Sequence, residues 1–224
     1  MDEARFLNIH GRESMANVLS KTPIGDGGFS RVYEVEVEIG GHKKKFAIKE
    51  YKGLTDSDKR AHAKKAFDGY KLCQNAGLRV FPTFRLGSKG RIIMTLGRIG
   101  KFLVIGNDNR TIIDRASNFK ELMRDVFEEA DRAADGGVML YADAYFMIVE
   151  ECDGLGQRLD FVLGDFDNVR RSNEDKIHRD NRSQAEYFLE LAIKNNFAEN
   201  IREESLRSLA LYFHELETRS QDDL

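Results

Sequence analysis

Residues 24–33 read IGDGGFSRVY, and a second segment, FAIKEY, follows at residues 46–51. Three glycines within four positions, Gly25, Gly27 and Gly28, remove side chain from a segment that otherwise favours strand. After Ile24, and with Ser30 and Val32, they form a GxGxx[GS]xV pattern that has Phe29 at its tip. Glycine lets backbone N–H groups face an anion with no Cβ in the way. A tight hairpin turn without a ligand meets the same pattern. An alternating segment follows, with Val35, Val37 and Ile39 on one face and Glu34, Glu36 and Glu38 on the other. That alternation predicts a half-buried strand over residues 24–39. A dinucleotide fingerprint or a P-loop opens a helix at this point, so neither fits.

Gly40-Gly41 predicts a hairpin turn, with the returning strand running through KKKFAIKEY. Lys43, Lys44 and Lys45 are placed to face the glutamates as opposite-charge pairs on a solvated rim. Period-2 alternation puts Ala47 and Lys49 on one face and Phe46 and Ile48 on the other. A small residue two before a lysine leaves room for a flat ring, while the ammonium reaches the phosphates of the same ligand. An ordinary surface lysine is the competing reading.

Further along, residues 56–76 have helical spacing, with Ala61, Ala66, Phe67, Tyr70, Leu72 and Cys73 inward and Gly77 as C-cap. Short strands are expected near 83–87 and 91–96, and again at KFLVIG. Gly97 and Gly100 suggest a hinge. Ser117 is read as the N-cap of a helix through FKELMRDVFEEADRAAD, with Leu122, Val126, Phe127 and Ala130 as its apolar stripe. Strands near 145–150 and 159–165 flank the turn-like CDGLGQ. The polar run of residues 168–182 reads as a mobile loop. Two amphipathic helices end the sequence. The division expected is residues 1–96, strand-rich with one helix, and 97–224, mainly helical.

The bulk numbers exclude several classes. With 224 residues, 41% hydrophobic and 33% charged, the composition is that of an ordinary globular protein. A net charge of −3 gives no support for phosphate neutralisation along a nucleic acid. Cys73 and Cys152 cannot build a disulfide framework, and no CxxC spacing offers a zinc site. No apolar run is long enough to span a membrane, and no signal-peptide core opens the sequence. A reducing, cytoplasmic setting is expected, with no nucleic-acid or membrane partner.

IGDGGFSRVY followed by FAIK resembles the first lobe of the protein kinase-like superfamily, and the likeness extends over about residues 20–170. The resemblance implies an α+β, two-lobed fold: an antiparallel-sheet first lobe with one helix and a reduced, mainly helical second lobe. The family pairs its strand lysine with an acid on the next helix. Helix 56–76 has no Glu, and of its acids Asp68 best fits as partner of Lys49. A metal-binding acid is implied after a strand, and DFVLGDFDNV supplies Asp165, with Asp167 and Asn168 as further oxygen ligands for Mg2+. Asp143, after the long helix, matches the catalytic aspartate. Val32 and Ala47 match the residues around adenine, with Thr95 to Gly97 as hinge.

The match has gaps. Tyr141-Ala142 stand where the family has His-Arg before the catalytic Asp, Ile148 stands in place of its Asn, and Asp167 stands where the family has Gly. His178-Arg179-Asp180-Asn181 imitates the catalytic triplet but follows Asp165, the wrong order, and reads as surface loop. The resemblance implies a minimal, atypical, bacterial-type kinase that takes ATP and Mg2+ and phosphorylates a hydroxyl, protein Ser/Thr favoured over a small molecule. A pseudokinase that binds nucleotide or a protein partner is the alternative. An unrelated binding protein with a chance glycine turn is the third reading.

Overall fold

The computed structural model describes residues 3–7, 13–81, 84–87, 90–95, 101–103, 113–152 and 156–222. The chain divides into two compact units. The first holds Met1–Lys71 and Val80–Arg98, the second Leu72–Arg79 and Ile99–Leu224. The expected α+β class is what the structure shows: an antiparallel sheet with a helix, then a mainly helical part.

In the first unit, strands β1 (Glu3–Leu7), β2 (Glu13–Asp26), β3 (Ser30–Ile39), β4 (His42–Tyr51), β5 (Phe84–Leu86) and β6 (Ile92–Thr95) form one sheet in the order β1-β2-β3-β4-β6-β5. The single strand expected over residues 24–39 is in fact two, because the glycines turn the chain between β2 and β3. Gly40 and Gly41 have φ of 58° and 78°, the paired left-handed conformation of the hairpin turn that matches strand twist. This fixes Ile39 opposite His42 and Val32 opposite Lys49. Val35, Val37, Ile48 and Ile93 then form one core cluster, with Val18, Tyr33 and Phe46 packed on it. On the other side of the pleat the expected rim forms, with Lys45 Nζ 2.7 Å from Glu34.

Helix α1 (Asp56–Asn75) opens on Thr55, whose Oγ1 accepts from the Asp58 N–H at 3.2 Å, an N-cap. Ala63, Ala66, Tyr70 and Cys73 form its buried stripe, whereas Ala61 is exposed. The helix ends at Gly77, whose N–H donates to the Gln74 carbonyl.

In the second unit, helix α2 (Phe119–Asp135) buries Leu122, Val126, Phe127 and Ala130, as its spacing predicts. Its N-cap is Asn118 and not Ser117, and the Asn118 side chain caps nothing. It bonds both backbone groups of Leu159 instead, at 2.7 and 2.8 Å. Strands β7 (Lys101–Leu103), β8 (Val138–Met139), β9 (Tyr145–Cys152), β10 (Gly156–Leu163) and β11 (Arg170–Arg171) make two small sheets, β10-β9-β7 and β11-β8. Helices α3 (Ile177–Asn196) and α4 (Glu199–Asp222) complete the unit.

The polar run expected to be a loop, residues 168–182, is corrected by β11 and by the first turns of α3. Gly97 and Gly100, the expected hinge, lie outside the described residues, as do residues 104–106 of KFLVIG and residues 153–155 of the CDGLGQ turn.

Candidate functional site

The glycine turn spans Gly27 to Phe29, between β2 and β3. Gly27 N–H donates to the Ser30 carbonyl at 2.9 Å, closing the turn on itself. The amides of Gly28 and Phe29 donate to no group among the described residues. Phe29 is 87% exposed at the tip. Neither Gly27 nor Gly28 has a left-handed φ. A Cβ on Gly28 would meet nothing within 4 Å, and one on Gly27 only the Ser30 carbonyl oxygen at 3.6 Å. The fold therefore does not need glycine at these positions. By contrast, a Cβ on Gly90, with φ +68°, would run into the Lys59 backbone.

Lys49 is 7% exposed, in the fully buried middle of β4 with Ala47 and Ile48. An ammonium is kept out of water only where other groups offset its lost hydration. The Tyr51 ring is one such group, with its centroid 5.4 Å from Nζ. The surface-lysine reading does not fit this burial. Val32, across the ladder from Lys49, is half-buried. Ile24 is exposed. Thr95 ends β6, whose ladder puts it opposite Phe46.

Asp68 does not meet Lys49. Its side chain is 60% exposed and accepts from Lys64 Nζ at 2.7 Å, one turn back on α1. Helical geometry gives the reason: Ala63, Ala66 and Tyr70 take the inward stripe, and position 68 falls on the opposite face. Asp56 and Asp58 are exposed too, so α1 presents no inward acid.

In the second unit, two loops are brought side by side by the ladders that flank them. One runs from β8 to β9 and contains a short 3-10 helix, Ala142–Ala144, with Asp143 on it. The other runs from β10 to β11 and contains Asp165 to Asn168. Leu163 pairs with Tyr145 at one end, and Arg170 with Met139 at the other. Gly164 N–H donates to the Ala144 carbonyl at 2.9 Å. Phe166 and Val169 are buried and anchor the second loop, which leaves Asn168 exposed and Asp165 and Asp167 half-buried. Asp165 Oδ1 accepts from the Asp167 N–H at 3.3 Å. Asn168 Nδ2 donates to Asp143 Oδ2 at 2.9 Å. The spacing in sequence gave no sign of that last contact.

No group of three or more His, Cys, Asp or Glu side chains is arranged to hold a metal among the described residues. Asp165, Asp167 and Asn168 nonetheless offer hard oxygen donors. These suit Mg2+, which takes one or two carboxylates and fills its remaining positions with phosphate oxygens and water.

Sequence reasoning missed two residues that hold the Asp143 loop. Asn181, read as surface loop, is 0% exposed in the second turn of α3. Its Oδ1 accepts from Leu140 N–H at 2.9 Å, and its Nδ2 donates to the carbonyls of Val138 and Ala130. Gln184, one turn on, accepts from Ala142 N–H at 3.0 Å. Ile177, Asn181, Ala185 and Phe188 form one buried stripe. The signal was there in the spacing, but a polar residue held its second place.

No family model matches the chain, and no curated protein does. Among solved structures, a Plasmodium kinase domain matches 68% of this chain at 13% identity with a TM-score of 0.42. The chain spans about half of that domain, 51% of its length.

Proposed function

We propose that the chain is an ATP- and Mg2+-dependent phosphotransferase that moves the γ-phosphoryl group to a hydroxyl, protein Ser/Thr favoured over a small molecule. The observation that carries this is the Asn168–Asp143 hydrogen bond, 2.9 Å, which ties the turn bearing Asp165 and Asp167 to the exposed Asp143. A phosphotransferase needs a group to orient the acceptor hydroxyl close to the groups that manage phosphate charge. Asp143 takes the first role: its carboxylate accepts the hydroxyl proton and aims the oxygen. Asn168 holds the rotamer of Asp143, and Asp165 and Asp167 supply metal ligands. Those two carboxylates would hold Mg2+, which when bound would offset the negative charge of the phosphate oxygens. In the first unit the undonated amides of Gly28 and Phe29 take phosphate oxygens, and Lys49 adds its cation. Val32 and Ala47 contact the base.

Labelled ATP with Mg2+ and a mixed protein acceptor tests this. Asp143→Asn lowers transfer about 100-fold or more, the usual weight of a positioned base. Equal transfer by the variant sinks the role given to Asp143.

One observation favours a second reading, a nucleotide-binding protein without efficient catalysis. The three acids of α1, Asp56, Asp58 and Asp68, are all exposed, and Asp68 pairs with Lys64 on its own helix. In that case ATP raises the melting temperature while no phosphate is transferred.

A further inference from the structure

The glycine turn is held by a residue given no role in the reaction proposed above. Lys52, just past β4, donates from Nζ to the Gly27 carbonyl at 2.7 Å and to the Asp26 carboxylate. Its own N–H donates to the Phe29 carbonyl at 2.9 Å. One residue thus grips both ends of the turn. Arg31, paired with Asp26 across the β2–β3 ladder, donates from its guanidinium to the other Asp26 oxygen at 2.7 Å.

A single exposed ion pair contributes little. Here the β3–β4 ladder already places the Lys52 backbone opposite the turn, so only its side chain must be ordered. Asp26 also raises a charge problem, because a carboxylate between Gly25 and Gly27 repels any anion that comes to the turn. Lys52 and Arg31 neutralise it.

We propose that Lys52 is a positioning residue of the glycine turn. It fixes the Gly27–Phe29 backbone in the shape that leaves the Gly28 and Phe29 amides undonated, and with Arg31 it cancels the charge of Asp26 so that a polyphosphate can approach. The second half of this rests on the phosphotransferase reading; the first half does not.

Limited chymotrypsin digestion reads the first half directly, since exposed Phe29 is a cleavage site in the turn itself. Cleavage follows the population of the open form when opening is fast. Lys52→Met speeds cleavage after Phe29 about threefold to tenfold with an unchanged melting temperature, and Lys52→Arg restores the slow rate. Asp26→Asn, which keeps the side-chain shape, accelerates cleavage as well and keeps the test valid should Lys52→Met fail to fold. Cleavage at the wild-type rate in the folded variants overturns the positioning role. With ATP, Lys52→Met raises KM more than it lowers kcat; an unchanged KM overturns the second half. If no form of the protein binds or turns over ATP, the phosphotransferase reading fails, and the digestion still decides what Lys52 does to the turn.

Discussion

Asn181 shows how much one side chain can organise. It meets three backbone groups from the inside of the second unit, and none has water as a substitute. Truncation leaves buried donors and acceptors unmet, each costing about 1–3 kcal/mol. Asn181→Ala should therefore lower unfolding free energy in urea by about 3 kcal/mol or more. Tyr145 is the opposite case. Its ring stacks on Phe188, but its hydroxyl is buried without a hydrogen-bond partner among the described residues. Burial pushes its pKa well up. Tyr145→Phe should raise stability by about 1 kcal/mol, and a loss instead would reveal a partner for the hydroxyl. Glu129 gives a pH signature. Burial is the main cause that raises its pKa above 4.5, against the opposing Arg79 N–H and the Arg132 and Arg79 charges. A carboxyl that holds its proton more tightly when folded favours the folded state least once it has ionised. Relative to Glu129→Gln, the wild type should thus lose stability as pH rises from about 4.5 through the raised pKa, and a flat difference across urea melts would contradict this.

At the scale of elements, two glycines make opposite predictions. Gly90→Ala forces a Cβ into the Lys59 backbone at a left-handed φ, and strain of this kind costs about 1–3 kcal/mol. Gly28→Ala meets open space and should leave the melting temperature unchanged, while reducing the stabilisation by ATP. The elements that the sequence made legible are those with one clean period. The alternation of β3 and the 3.6-residue stripe of α2 both appear where their spacing predicts, because apolar residues fill the inward places, Glu129 of α2 excepted. α3 was hidden because its inward stripe includes Asn181, and a polar residue in the core looks like a loop residue until its three partners are known. β1 is too short for its alternation to stand out, and the start of β2 carries no clean period. Asp68 failed for a related reason: spacing along the chain from Lys49 does not tell which face of α1 a residue occupies. Likewise the meeting of Asp143 and Asn168 depends on two ladders, not on any local pattern.

For the molecule as a whole, the proposed phosphotransfer predicts that a substitution in either unit lowers transfer. Lys49 is buried in the first, and Asp165 sits on the anchored turn of the second. Neither substitution at these places removes a large part of a core, so both variants should remain folded by circular dichroism. The direct measurement is transfer of labelled γ-phosphate from ATP, with Mg2+, by the wild type, Lys49→Ala and Asp165→Ala side by side. Transfer by the wild type that falls about 100-fold or more in each folded variant is the predicted result. Transfer that persists at the wild-type level in either variant, or is absent from the wild type along with any Mg2+-dependent stabilisation by ATP, contradicts the account.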